Sequence, residues 1–246
     1  MLLLITAAGA GSRFKKEGIS TPKPLIRVNG KTLLEHTLSS FQLEEEDALM
    51  IAVQREHAIP SQQQLKLPHV PISWIELDEL LPGQLATAVH ALNLSKNKNE
   101  QDRSLLIHNC DTGFEWNSEL RPPTDSYGAM AVFEAEGEHW SFGQPDPNDP
   151  SKAIAIAEKQ RISNLASIGL YGFRSTHEFL ADAQRQMQGS HQVNGEHYVA
   201  PLLNQAIAEG EIVRLPKADG LKLYGTPKEL CSTFQISMET LKKDNS

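Results

Sequence analysis

A chain of 246 residues, 39% of them apolar, is long enough to bury a substantial core. The net charge of −8 disfavours broad binding to nucleic acid or an anionic membrane, and two cysteines, Cys110 and Cys231, offer neither a disulfide framework nor a C-x-x-C metal spacing. The opening MLLLITAAGAG lacks the basic flank of a signal peptide and no run of about 18 apolar residues follows, so a soluble cytoplasmic protein partnered by neither membrane nor nucleic acid is expected.

In chain order, Leu2–Thr6 reads as a first strand. Thr32 and Glu35 form a capping-box pattern that opens a helix with an apolar face at Leu34, Leu38 and Phe41. Residues 48–53 and 72–76 read as strands, and Leu85, Ala88, Val89 and Leu92 recur at helical spacing. Further strands are expected at Leu105–Asn109, 128–135, Ala153–Glu158 and 168–173. Strands alternating with helices in the first half, then successive strands, predict an α/β fold: a mixed, mainly parallel sheet flanked by helices. The polar stretches 95–103 and 144–151 read as exposed connections too short for linkers, the tail 242–246 as frayed, and residues 1–246 as one domain.

The charge is uneven, because residues 1–31 hold six lysines and arginines against the single acid Glu17. That suits a small anionic ligand. AAGAGSRF follows the first strand, and glycines there let backbone N–H groups approach a phosphate. The loop lacks both the G-K-[ST] of a Walker A motif and the third glycine of a dinucleotide fingerprint, so by itself it is a weak signal, and a tight turn without ligand is the alternative. In Pro22-Lys23-Pro24 the flanking rings restrict the backbone and push Lys23 towards extended geometry, presenting a cation with little freedom to lose. Arg13 offers a planar fork to phosphate oxygens and Lys23 a point charge, whereas Lys15, Lys16 and Lys31 read as solvated surface.

AAGAGSRF, the TPKPL that follows and VNGKTLLEH resemble the N-terminal signature of the sugar-phosphate nucleotidyltransferases, which share a Rossmann-like nucleotide-diphospho-sugar transferase fold. The resemblance implies nucleotide contacts from Ala8, Gly9, Gly11, Ser12 and Arg13, with Arg13 and Lys23 as the catalytic cations. Gly83 and Gln84 with Thr87 are similar to the segment that reads the base. NCDT resembles the strand end that carries a metal-binding aspartate, here Asp111, which implies Mg²⁺. Glu158, Lys159, Gly169 and Glu196 fall in blocks similar to those that contact the acceptor, and GTPKEL resembles a C-terminal block. Bland alternatives stand beside these: a turn cap for Asp111, a surface ion pair for Glu158 and Lys159, a helix cap for Glu196. His108 and Cys110 alternate away from Asp111 and read as packing.

One departure concerns the metal. Many members place a second aspartate two residues before the glycine of G-T-P, and this chain has Leu223 there, in LKLYGTP. Either Asp111 holds the ion with nucleotide phosphates and water, or a second carboxylate comes from elsewhere, with Asp219 nearby if the loop bends, or activity is reduced. The reaction implied is attack of an acceptor phosphate on the α-phosphorus of an NTP, CTP or dTTP favoured, with release of pyrophosphate. The acceptor is a phosphorylated sugar or small alcohol, destined for surface-glycan or capsule precursors. Such an acceptor is already ionised at neutral pH, so no general base is needed. A glycosyltransferase of similar fold and a non-catalytic nucleotide-binding module are the alternatives.

Overall fold

A computed structural model of the chain describes residues 1–57, 62, 65–66, 68–95, 103–189, 192–193 and 195–245. The first half runs β1 (Leu2–Thr6), α1 (Ser12–Lys16), the short hairpin β2 (Arg27–Val28) and β3 (Lys31–Thr32), α2 (Leu33–Leu38), β4 (Ala48–Gln54), β5 (Ile72–Leu77), α3 (Gln84–Leu94) and β6 (Leu105–Asn109). The second half runs β7 (Thr112–Glu115), β8 (Gly128–Glu134), β9 (Ser141–Pro145), β10 (Ala153–Glu158), β11 (Leu165–Phe173), α4 (Thr176–Gln188), α5 (Ala200–Ala208), β12 (Val213–Arg214), β13 (Asp219–Leu223), α6 (Pro227–Phe234) and α7 (Met238–Asn245). Every strand expected from the sequence is present.

The main sheet is mixed, in the order β10-β9-β11-β6-β1-β4-β5, with β8 beside β11 and β12 beside β8. Strand β1 lies between two parallel neighbours, Thr6 opposite Ala52 of β4 and Asn109 of β6, so the carboxyl ends of these strands are level. That edge is where an open α/β sheet binds ligands. The successive strands of the second half join antiparallel through β6 and β11. Because both faces of β1 are covered, its sequence is apolar from Leu2 through Ile5 rather than alternating. Leu2 and Leu4 pack under α3, α4 and α5 through Leu85, Phe179 and Leu203, while Leu3 and Ile5 face Leu34, Leu38 and Phe114. A third cluster joins the two ends of the chain: Phe14, Ile19, Ile26 and Leu33 pack against Tyr224, Leu230 and Leu241.

Three expectations are corrected here. Gln144 and Pro145 belong to β9, so that exposed connection begins only at Asp146; of the connection at 95–103, residues 96–102 lie outside the described residues. Helix α2 ends at Leu38, and Phe41 reaches the core from beyond it, its ring 5.3 Å from Phe114 and 5.6 Å from His108. The tail is anchored through Asn245, whose side chain accepts from Arg27 N at 2.6 Å and donates to Arg27 O at 3.0 Å. The Asn245 carbonyl also accepts from Thr21 Oγ1 at 2.7 Å, and these partners hold the last helix against the segment that carries Lys23. Among the described residues no helix is long and apolar enough to cross a membrane.

Candidate active site

A cleft of about 580 Å³ opens at the carboxyl ends of β1 and β6, and every site residue anticipated from the sequence lines it. Its floor is built by the turn after β1. Ala7 and Ala8 are buried, with Ala7 N donating to Ala52 O at 2.8 Å and Ala8 O accepting from Gln54 Nε2 at 2.8 Å. The chain then leaves the sheet through Gly9 and turns into α1 at Gly11, whose φ of 62° is left-handed. A Cβ at Gly9 would meet nothing within 4 Å, so this backbone faces open cleft, while one at Gly11 would lie 3.5 Å from Lys23 Cβ. The glycine loop and Lys23 are therefore packed side by side. Arg13 is exposed at the rim.

Lys23 is held differently from the sequence expectation. Pro22 is extended (φ −53°, ψ 135°), but Lys23 starts a single 3₁₀ turn over Lys23–Leu25, closed by Leu25 N donating to Pro22 O at 2.8 Å. The turn's hydrogen bonds outweigh the steric preference that Pro24 imposes on the residue before it. The result is still a fixed cation: Lys23 Nζ donates to Asp111 Oδ2 at 2.9 Å across 88 residues of chain, both side chains being about three-quarters buried.

Asp111 ends the turn after β6. Burial pushes its carboxyl up, but the Lys23 ammonium beside it and the Thr112 hydroxyl, 3.3 Å from Oδ1, outweigh that and hold it below the usual carboxylate range. Two neighbours were missed as site elements. His108, fully buried, places Nδ1 3.1 Å from Gly169 O and Nε2 3.0 Å from Thr112 O, so it braces the Asp111 turn against β11 besides packing on Phe41 and Phe114. Burial lowers its pKa, and the neutral ring donates to one carbonyl at a time. Asn109 points into the cleft with a buried Oδ1 that has no partner among the described residues. Gly169, at φ 77° in the bulge of β11, is required there, since a Cβ would lie 2.3 Å from Asn109 Nδ2. Cys110 is packing as expected, its thiol pushed up to about 12 by burial.

The far wall couples two segments distant in sequence. Gly83 (φ 99°) opens α3, and a Cβ there would lie 2.5 Å from His197 O. Leu85 N donates to His197 O at 3.0 Å and His197 N to Pro82 O at 2.8 Å, which staples the Gly83–Gln84 turn to the segment carrying Glu196 and Tyr198. Thr87 Oγ1 donates to Gly83 O at 3.0 Å and so braces this turn, while Gln84 Nε2 lies 3.4 Å from Thr6 Oγ1 at the floor. Glu196 caps no helix: α5 starts at Ala200 without a side-chain cap, and the Glu196 carboxylate accepts from Tyr198 Oη. Glu158 and Lys159 do not pair with each other. Glu158 accepts from Ser141 Oγ, burial raising its pKa, and Lys159 Nζ reaches Tyr198 Oη with its charge 4.4 Å from that ring's centroid. Trp140, its ring tilted against His139 with centroids 4.4 Å apart, completes this end of the cleft.

Asp219 does not replace the missing aspartate. It pairs with Glu115 at the far end of β13, whereas Leu223 pairs with Thr112 next to Asp111, so the strand register carries Asp219 away from the cleft it would have to enter. Gly225 and Glu229 line the cleft instead. A Cβ built on Gly225 would lie 3.3 Å from Asp111 Oδ2 and 3.3 Å from Glu229 Oε2, so glycine lets both carboxylates come close to the backbone there.

Residues 3–210 match the family model of the MobA-like NTP transferase domain. The chain belongs to that family. Over 72 residues it is 36% identical to the 2-C-methyl-D-erythritol 4-phosphate cytidylyltransferase of Neisseria meningitidis serogroup C, an alignment spanning 29% of this chain and 30% of that protein. Its structure is similar to that of the nucleoside-diphosphate-sugar pyrophosphorylase of Vibrio cholerae RC9, with a TM-score of 0.83 and 27% identity over 96% of this chain and 100% of the other. It also shares the fold of the inositol-1-phosphate CTP transferase of T. maritima, with a TM-score of 0.71 and 14% identity over 100% of this chain and 97% of that one. This NTP transferase thus has the mixed sheet flanked by helices that its N-terminal signature implied, and its cleft gathers motifs scattered over more than 180 residues, from Ala8 to Glu196.

Proposed function

We propose that this NTP transferase joins the nucleoside monophosphate part of an NTP to a small phosphorylated acceptor and releases pyrophosphate. The observation that carries the proposal is the Lys23–Asp111 contact at 2.9 Å beside the glycine loop, which brings a fixed cation, a carboxylate and open backbone to one strand end. CTP is the first nucleotide to test, because a cytidylyltransferase and a CTP transferase are among the proteins it is similar to, with dTTP next. The acceptor is a sugar phosphate or a phosphorylated small alcohol, and the setting a cytoplasmic supply of glycan precursors.

Asp111 suits a hard divalent cation such as Mg²⁺: it is held ionised and lines the cleft at a strand end. Bound at Asp111, Mg²⁺ would supply neutralisation of the nucleotide's phosphate charge. The chain does the rest by position and charge. The backbone of Gly9 and Gly11 accommodates phosphate oxygens, Arg13 faces the departing pyrophosphate from the rim, and Lys23 exchanges its Asp111 partner for the phosphate being attacked. Gly83 and Gln84 meet the base. At the other end, Glu158 and Glu196 accept hydroxyl groups while Lys159 attracts the acceptor's anionic oxygen. An acceptor phosphate with its second pKa near about 6 attacks without a base.

The test is a pyrophosphate-release screen of CTP, dTTP, UTP, ATP and GTP against sugar 1-phosphates and phosphorylated small alcohols, with and without Mg²⁺. Magnesium-dependent pyrophosphate release is expected for at least one pair. Release of a nucleoside diphosphate from a nucleotide sugar, or nucleotide binding with no turnover across the panel, overturns the reading.

A further inference from the structure

We propose that Asn245 is a positioning residue for Lys23: it closes a clamp on both ends of the turn that carries the lysine and so sets where the ammonium stands. The inference rests on the role given to Lys23 above and adds to it a residue of α7 that touches no substrate. The lysine segment needs such a hold. Between Pro22 and Ile26, both extended, it is a single 3₁₀ turn, and one turn closed by i→i+3 bonds is weak by itself. Lys23 adds a flexible four-carbon stem, so the place of its Nζ depends on how firmly the turn beneath it is fixed.

Asn245 meets that segment on both sides of the turn. After it, Oδ1 accepts from Arg27 N at 2.6 Å and Nδ2 donates to Arg27 O at 3.0 Å, so the side-chain amide pairs with one residue's backbone as a neighbouring strand would. Before it, the Asn245 carbonyl accepts from Thr21 Oγ1 at 2.7 Å and from Thr21 N at 3.4 Å. A helix leaves its last carbonyls without partners of its own, and here the lysine segment supplies the donors. Nδ2 also donates to Leu241 O at 2.9 Å, which locks the amide onto its own helix. Asn245 is only 3% exposed, and the fully buried Leu241 packs in one cluster with Ile19 and Ile26 on either side of the turn. That apolar cluster is enough to dock the helix; the amide adds register, because any other seating leaves its buried polar atoms unpaired. Lys23 packs beside Gly11 and its Nζ stands 2.9 Å from Asp111 Oδ2, so a turn that slips moves the cation away from the glycine loop and the strand end together. A misplacement of about 1 Å is enough to cost up to about 10²-fold in rate.

The experiment joins amide hydrogen exchange to a cycle of variants in the full chain, each assayed below its melting temperature. In Asn245→Ala the amides of Leu25 and Ile26, which donate to Pro22 O, are expected to exchange about tenfold faster or more, while those of Leu106 and Ile107 in β6 keep their rates. The kcat for pyrophosphate release is expected to fall about tenfold, with the nucleotide KM changing by less than about threefold. Thr21→Val, which removes one arm of the clamp and keeps its shape, is expected to lower kcat by about threefold. Ser237→Ala uncaps the other end of α7, where Ser237 Oγ accepts from Thr240 N at 3.0 Å, and is expected to lower the melting temperature with kcat unchanged. Positioning is told from stability by adding Asn245→Ala to Lys23→Met: the double variant should melt lower than Lys23→Met yet lose less than about twofold more in kcat, because no cation is left to misplace. A further loss of about tenfold in that double variant, or unchanged exchange or unchanged kcat in folded Asn245→Ala, overturns the proposal. A folded Lys23→Met protein that retains kcat, or no pyrophosphate release from any pair, strikes the functional reading instead, and the exchange rates still decide the clamp.

Discussion

Replacing Lys23 with methionine separates charge from packing, since the thioether keeps most of the stem that crosses Phe14, whose ring centroid lies 6.0 Å from Nζ. The Lys23 and Asp111 side chains are 19% and 27% exposed, between an exposed ion pair worth about 0.2–1 kcal/mol and a buried one whose rupture costs about 3–5 kcal/mol. A loss of about 1–2 kcal/mol in folding stability is expected, read by urea unfolding. The double variant Lys23→Met with Asp111→Asn should lose less than the sum of the two singles by about 1 kcal/mol, because the two groups share one interaction. Turnover should fall far more than stability: removing a preorganised charge that faces the reacting phosphate lowers kcat by about 10²–10³, or roughly 2.7–4 kcal/mol of transition-state stabilisation. The assay is pyrophosphate release at saturating nucleotide and acceptor. A folded Lys23→Met protein whose kcat stays within about fivefold of the unaltered chain refutes the role given to this cation.

Gly83→Ala places a methyl 2.5 Å from His197 O at a φ of 99°, so about 2–4 kcal/mol of stability should be lost together with a rise in KM for both substrates; an unchanged melting temperature contradicts the stapled turn. His108→Phe preserves the ring contacts to Phe41 and Phe114 but strips the partner from the carbonyls of Gly169 and Thr112, and a loss of about 2–4 kcal/mol in denaturant unfolding is expected, whereas a neutral result removes its bracing role. Burial tends to raise the Glu35 carboxyl, yet the backbone N–H groups of Thr32 and Lys66 and the Thr32 hydroxyl hold it below the ordinary value. Its contribution is therefore complete above the unfolded pKa of about 4.3 and is lost as pH falls through the lower folded value. Glu35→Gln should cost about 1–2 kcal/mol at neutral pH, and the gap should close in unfolding curves taken between pH 4 and pH 2; a gap that persists there sinks the assignment.

What could be read from the sequence was whatever is local or strictly periodic. Leu2–Thr6 and Leu105–Asn109 are mainly apolar runs because their strands are covered on both faces, and Ala153–Glu158, an edge strand that leaves Ile154 exposed, has a similar run; all three were found to the residue. The short strands β7, β12 and β13 have no such signature, since their edges are set by partners far along the chain. The same division runs through the cleft. Glycine loop, P-K-P and NCDT are each contiguous, so they were legible, whereas the brace from His108 to Gly169 spans 61 residues and depends on the bulge in β11. Asp219 shows how linear proximity misleads: four residues from Leu223 along an extended strand is about 13 Å, directed away from Asp111. Glu229 shows the converse. Its pattern, Thr-x-x-Glu, is the one that closes a cap at Thr32 and Glu35, and no feature of those four letters tells the two apart. The difference arises in three dimensions, because α2 turns its glutamate onto its own first turn, while α6 leaves its glutamate lining the cleft.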